Sequence, residues 1–300
     1  MTHPASSRPV VAAVDGSERS RRAAHVAADE ARLRDAPLHL VTALPWGSLG
    51  VVTPPPPGTD LPEALLRSAE EVLQEVAAEL APTVGDGGVT WAVMERTAVD
   101  ALHDMSARAR LLVLGSRGVG GVAGLVIGST ATAVVAAAEC PVLVLPDDTS
   151  VMVSARRSVV VGVEGRVGDE EVLSFAFEEA VARGTDLIAV HTWQDVRLEA
   201  SYEAISPLVD WDSVRADEER VLAEALAGWR DKHPDVVVRE VLLRDKTARG
   251  LLAAALTAEV LVVGHRRRNR LANLGSTTHG VLHRASCPLA VVPVGIGKDG

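Results

Sequence analysis

Val10-Val11-Ala12-Ala13-Val14-Asp15-Gly16 comes back 149 residues later as Val159-Val160-Val161-Gly162-Val163-Glu164-Gly165. At the same offset, Leu111-Leu112-Val113-Leu114-Gly115 matches Val260-Leu261-Val262-Val263-Gly264. Gly128-Ser129-Thr130 then matches Gly275-Ser276-Thr277, and Cys140-Pro141-Val142-Leu143-Val144 matches Cys287-Pro288-Leu289-Ala290-Val291. These last two pairs stand 147 apart, so the second copy is two residues shorter between Gly264 and Gly275. A register kept over this much of a 300-residue chain is a duplication. It predicts two domains, residues 1–147 and 156–296, joined by a polar linker.

Within the first copy, apolar runs of strand length alternate with longer stretches of helical character. Residues 10–14 form a run short enough for a buried parallel strand, and Ser17 stands where a helix reaching about residue 33 would be capped. Residues 38–44, 89–94, 111–114 and 142–145 read as four more strands. Helices are expected over about 62–80, near 98–107 and after Ser129, with a proline-rich loop at 54–58. Strands separated by crossover helices give an α/β fold of two tandem, doubly wound, parallel five-stranded sheets, Rossmann-like, with any ligand at the carboxyl ends of the strands. Aromatics are only 3% of the chain against 47% hydrophobic residues, which leaves Val, Leu and Ala to build both cores.

Composition also narrows the function. The net charge of -10 opposes broad contact with nucleic-acid phosphates, so nucleic acid is not an expected partner. No run of 18 uncharged apolar residues is present, and residues 1–9 lack the apolar core of a signal peptide, so the expectation is a cytoplasmic protein without a membrane partner. Cys140 and Cys287, each followed by Pro, read as buried thiols.

The chemistry concentrates in Gly115-Ser116-Arg117-Gly118, nine further residues, and Gly128-Ser129-Thr130, set between a buried strand and a helix. Glycines at a strand exit let backbone approach a ligand, and the first N–H groups of the following helix favour an anion such as phosphate. By itself this pattern fits a glycine-rich turn with hydroxyl caps as well as it fits a phosphate cradle. Two residues lean toward the cradle. Asp15 ends the first strand at the same edge and can accept from a base or ribose hydroxyl, and Ala43, at the end of the second, leaves room for a planar base.

Other chemistries lack their parts. No Walker A or protein-kinase motif is present, and the first strand–helix turn, where a dinucleotide fingerprint would stand, is Asp15-Gly16-Ser17-Glu18. His103, Asp104 and Ser106 share one helix and cannot line up as a triad. His279 and His283 lack a following Glu and a third ligand, so no metal is expected there. Arg266 to Arg270 is too short and too poor in aromatics for a nucleic-acid patch and reads as a solvated or phosphate-facing loop. Trp46 and Trp193 read as lids or interface anchors.

Taken together, Gly115-x2-Gly118-x9-Gly128-Ser129, Val14-Asp15 at the end of the first strand and the Cys140-Pro141-Val142-Leu143-Val144 strand resemble the ATP-binding class of the universal stress protein family, over nearly the whole chain and twice. The resemblance implies an adenine nucleotide alpha hydrolase-like fold. It also implies adenine and ribose contacts near Val14, Asp15 and Ala43, and phosphate or ribose contacts from Gly115, Arg117, Gly118, Gly128, Ser129 and Thr130. ATP is the implied ligand, with Mg²⁺ left open, and the terminal strands are implied to mediate self-association or an internal pseudo-dimer. Ala131 departs from a hydroxyl common in the family. The expected function is a non-catalytic, nucleotide-dependent regulator of stress response whose protein partner the sequence does not indicate. A slow ATPase or nucleotidyl-transfer enzyme and a structural dimer module with vestigial sites are the alternatives. The missing base and metal carboxylates weigh against the first alternative, and the complete motif of the first copy against the second.

The second copy departs from this pattern. Asp15 is replaced by Glu164, Gly118 by Arg267, and the nine-residue spacer by seven residues. Charge from Arg266, Arg267, Arg268 and Arg270 replaces only part of what glycine geometry supplies, so ATP is expected to bind there weakly or not at all.

Overall fold

The computed structural model describes residues 8–45, 60–85, 88–118, 127–147, 158–193, 210–266 and 274–295. Trp46, the proline run at 54–58, the spacer at 119–126, the linker and Arg267 to Arg270 lie outside the described residues. The chain divides into two compact units, Met1–Asp147 and Asp148–Gly300.

Unit 1 runs β1 (Val10–Ala13), α1 (Glu18–Leu33), β2 (Leu38–Ala43), α2 (Leu61–Val84), β3 (Val89–Met94), α3 (Ala98–Ser106), β4 (Leu111–Gly115), α4 (Ser129–Ala137) and β5 (Val142–Leu145). Every pairing is parallel, in the order β3-β2-β1-β4-β5. The chain moves outward from β1 to β3 and then returns to the other side of β1. With right-handed crossovers this reversal sends α1 and α2 to one face and α3 and α4 to the other, and the helices pack in those pairs. The sheet is thus doubly wound, and its switch point lies between β1 and β4.

Local chemistry explains the helices. The buried stripe of α1 is Ser20, Ala23, Ala24, Ala27, Ala28 and Ala31, spaced at helical period, and its small side chains let the helix lie close on the sheet. Ser17 caps it by accepting from the Ser20 N–H at 3.1 Å. α2 passes its expected end, running through Pro82 to Val84, because Leu80 and Val84 are both buried on its core face; Gly85, at φ 65°, then ends it.

Unit 2 repeats the plan with β6 (Val159–Val163), α5 (Asp169–Arg183), β7 (Leu187–Thr192), α6 (Trp211–Leu226), a short α7 (Trp229–Lys232), β8 (Val238–Leu243), α8 (Thr247–Ala254), β9 (Val260–Arg266), α9 (Ser276–Leu282) and β10 (Leu289–Val294). Its strands are also parallel, in the order β8-β7-β6-β9-β10. The duplication extends to a buried ion pair. Glu30 pairs with Arg34 at the end of α1, and Glu179 pairs with Arg183 at 2.8 Å at the end of α5, with both carboxylates almost fully buried. Each such pair contributes through the penalty of breaking it rather than through net stabilisation.

Candidate functional site

The switch point places the carboxyl ends of β2, β1 and β4 side by side in unit 1. β2 fixes the end of β1. The Val14 N–H donates to Val41 O at 2.9 Å, and the Thr42 hydroxyl donates to Val14 O at 2.7 Å. The chain then turns through Gly16, at φ 83°, into α1. Asp15 is exposed on this turn; its Oδ1 accepts from the Ser17 N–H at 3.0 Å, and its own N–H donates to Ser20 Oγ at 3.2 Å.

On the other side of β1, the exit of β4 carries Gly115, Ser116, Arg117 and Gly118. A Cβ built on Gly118 would collide with Asp15 Oδ2, so the backbone of one loop lies directly against the carboxylate of the other. Gly115 and Gly128 are under less constraint. A Cβ on Gly115 would lie 3.4 Å from Arg117 O, and one on Gly128 3.5 Å from Ser116 O, both ordinary contacts. The Gly128 N–H donates to Ser116 O at 2.8 Å, which pins the start of α4 to the exit of β4. α1, α2 and α3 are capped by the side chains of Ser17, Asp60 and Thr97, whereas α4 follows Gly128 with no side-chain cap. Ser129 and Thr130 open α4 and are exposed. The first amides and dipole of this helix therefore face outward with no capping side chain, the arrangement that favours an anion.

The expected site residues thus share one end of the sheet, but in different relationships. Asp15 touches Gly118, and Gly128 packs on Ser116 and Arg117. Ala43, half-buried at the end of β2, flanks β1 on the side opposite β4. Arg117, expected to face phosphate, is ion-paired with Asp147, which also accepts from Ser116 Oγ at 2.7 Å and lies 2.8 Å from Arg19 Nε. Thr42, Arg19 and Asp147 escaped the sequence reading. Asp147 had one signal, its place just beyond the carboxyl end of the last strand of unit 1.

Unit 2 carries different side chains at the matching end of its sheet. Glu164 Oε2 pairs with Arg266 at 3.1 Å. The Asp169 carboxylate accepts the N–H groups of Glu164, Gly165 and Arg166 at 3.2, 2.6 and 3.2 Å. His191 stands where unit 1 has Thr42. It is buried, its Nδ1 donates to Val163 O at 2.8 Å, and its Nε2 meets Glu218 Oε2 at 2.8 Å. At Gly264, the counterpart of Gly115, a Cβ would come within 2.9 Å of Val172 Cγ2 and 3.3 Å of Val294 Cγ2. Trp193, beyond the end of β7, lies 6.0 Å from the Trp211 ring, with the Arg244 guanidinium 3.9 Å over Trp211. The His279 and His283 rings are 4.4 Å apart, and no group of three or more His, Cys, Asp or Glu that could hold a metal occurs among the described residues.

The model of the Universal stress protein family matches residues 6–146 and again 155–293. Universal stress protein Rv2623 of Mycobacterium tuberculosis H37Rv is 34% identical over 295 residues, which cover 95% of this chain and 96% of that protein. Universal stress protein Rv2005c of the same strain is 34% identical over 301 residues, covering 97% and 99%. Among solved structures, a universal stress protein from Archaeoglobus fulgidus DSM 4304 has the same fold, at TM-score 0.65 and 19% identity over 97% of each chain.

Proposed function

We propose that this chain, which belongs to the universal stress protein family, binds one ATP in unit 1 and acts as a non-catalytic, nucleotide-dependent regulator of a stress response. The observation that carries the reading is the crevice between β1 and β4, where Gly118 packs on the Asp15 carboxylate beside the uncapped start of α4. The base lies over the ends of β1 and β2, near Val14 and Ala43, and Asp15 accepts from the ribose. The phosphates lie on the amides of Gly118, Gly128, Ser129 and Thr130. The second unit binds ATP weakly or not at all, because Glu164, paired with Arg266, stands where unit 1 has Asp15, and Val172 and Val294 crowd Gly264, the counterpart of Gly115. Self-association through the terminal strands belongs to the same reading, and a monomer in sedimentation equilibrium would remove that part.

The test is nucleotide release from purified protein, followed by calorimetric titration with ATP with and without Mg²⁺. About one ATP per chain, lost in Gly118→Arg, supports the reading. A chain that neither carries nor takes nucleotide refutes it. Two equal sites refute the assignment to unit 1 alone, and steady release of phosphate or transfer products moves the crevice to the enzymes.

A further inference from the structure

We infer that Asp147 sets the preference of unit 1 for the number of phosphates on its ligand, by holding Arg117 until a polyphosphate competes for it. The inference rests on the nucleotide reading given above. Asp147 stands two residues beyond the end of β5, so its carboxylate lies beside the exit of β4 at the ligand end of the sheet. Its Oδ1 accepts from the Ser116 hydroxyl at 2.7 Å and lies 2.8 Å from Arg19 Nε, while Oδ2 is paired with the Arg117 guanidinium. One carboxylate thus faces two guanidinium groups, with the Asp15 carboxylate next to them against Gly118.

Two further observations suit an anionic ligand. The Nε of Arg117 is buried without a hydrogen-bond acceptor among the described residues, whereas that of Arg19 lies in an ion pair 2.8 Å from Asp147 Oδ1. Buried donors left without an acceptor are costly and rare, and a phosphate oxygen would satisfy this one. The start of α4, tied to Ser116 through the Gly128 N–H, also has no capping side chain. The Arg117 Nε, two guanidinium groups on one carboxylate and an uncapped helix converge at the exit of β4.

A single phosphate is satisfied by the helix amides. A second and third phosphate bring enough negative charge to draw the planar guanidinium of Arg117, which pairs with phosphate as readily as with carboxylate. Asp147 is the competitor in that exchange, and its charge sets the threshold.

The experiment is calorimetric titration of the full chain, wild type, Asp147→Asn and Arg117→Gln, with AMP, ATP, inorganic phosphate and tripolyphosphate. Asn keeps an oxygen for the Ser116 hydroxyl, while its NH2, a donor, replaces the oxygen that held the Arg117 guanidinium, so both the charge and that pairing are lost. Asp147→Asn is expected to bind ATP about tenfold more tightly while AMP changes by less than about twofold, with tripolyphosphate following ATP and phosphate following AMP. Arg117→Gln is expected to bring the ATP to AMP ratio toward one. An unchanged or smaller ATP to AMP ratio in Asp147→Asn overturns the inference. A wild type that takes neither nucleotide refutes the nucleotide reading, and the tripolyphosphate to phosphate ratio then decides the role of Asp147 separately. Should Asp147→Asn fail to fold, its combination with Arg19→Gln removes one of the two guanidinium groups and carries the same comparison.

Discussion

The Cα of Gly118 lies so close to the Asp15 carboxylate that a single added methyl would overlap Oδ2, although the two residues leave different strands, β4 and β1. The φ of Gly118 lies outside the left-handed region, so a side chain there meets no backbone strain and has only the Asp15 carboxylate to push aside. Gly118→Ala is expected to displace the Asp15 side chain and weaken ATP about tenfold, and Gly118→Arg to abolish binding. The position is exposed, so melting temperatures should stay within a few degrees of wild type. Titration of both variants beside a thermal melt checks this, and full affinity in both would remove the crevice from the site.

Asp169 supports the turn that enters α5 by accepting three backbone N–H groups. Asp169→Ala leaves those donors to water and is expected to cost about 1–2 kcal/mol in unit 2, with a smaller loss for Asp169→Asn, which keeps one comparable acceptor. Urea unfolding measures both, and ATP affinity at unit 1 should not move with either.

Burial lowers the pKa of His39 on β2 and of His283 just after α9, the latter also through the neighbouring His279. In both cases the fold favours the neutral ring, so the unfolded chain takes up protons first as the medium is acidified. Their contribution to stability is complete above the ordinary value of 6.5 and is lost as the pH falls below it toward the lowered value. The midpoint of urea unfolding should therefore drop between about pH 7.5 and 5.5, and the double substitution His39→Gln, His283→Gln should reduce that drop. An identical slope in the variant would show that other groups carry the pH dependence.

Burial raises the Cys140 thiol to about 12. Almost no thiolate exists at pH 8, and the sulfur is buried in addition, so iodoacetamide should leave Cys140 unmodified in the native chain and alkylate it in urea. Mass spectrometry after timed labelling reads the difference.

Much of the architecture is written locally. Apolar runs such as residues 10–14 and 142–145 announce buried strands because a strand covered on both faces needs no polar alternation. Ser17 and Thr97 announce helix starts because each supplies an acceptor to an N–H three residues on. The glycines of the site were legible as a pattern but not by role. A side chain on Gly118 would displace the Asp15 carboxylate, while one on Gly115 meets only ordinary contacts, and nothing local to either residue distinguishes them.

By itself, the sequence determined that the chain is a duplicated α/β protein and that one copy keeps a glycine pattern which the other has lost, since both are matters of repeat, period and residue type. Only the tertiary structure decided what those residues meet. The return of β4 to the far side of β1 sets Gly118 against Asp15, the end of β5 sets Asp147 on Arg117, and β6 and β9 set Glu164 on Arg266. Such contacts join segments far apart in the chain, and they depend on which strands become neighbours, a choice made by burying whole faces of sheet and helix rather than by any local preference.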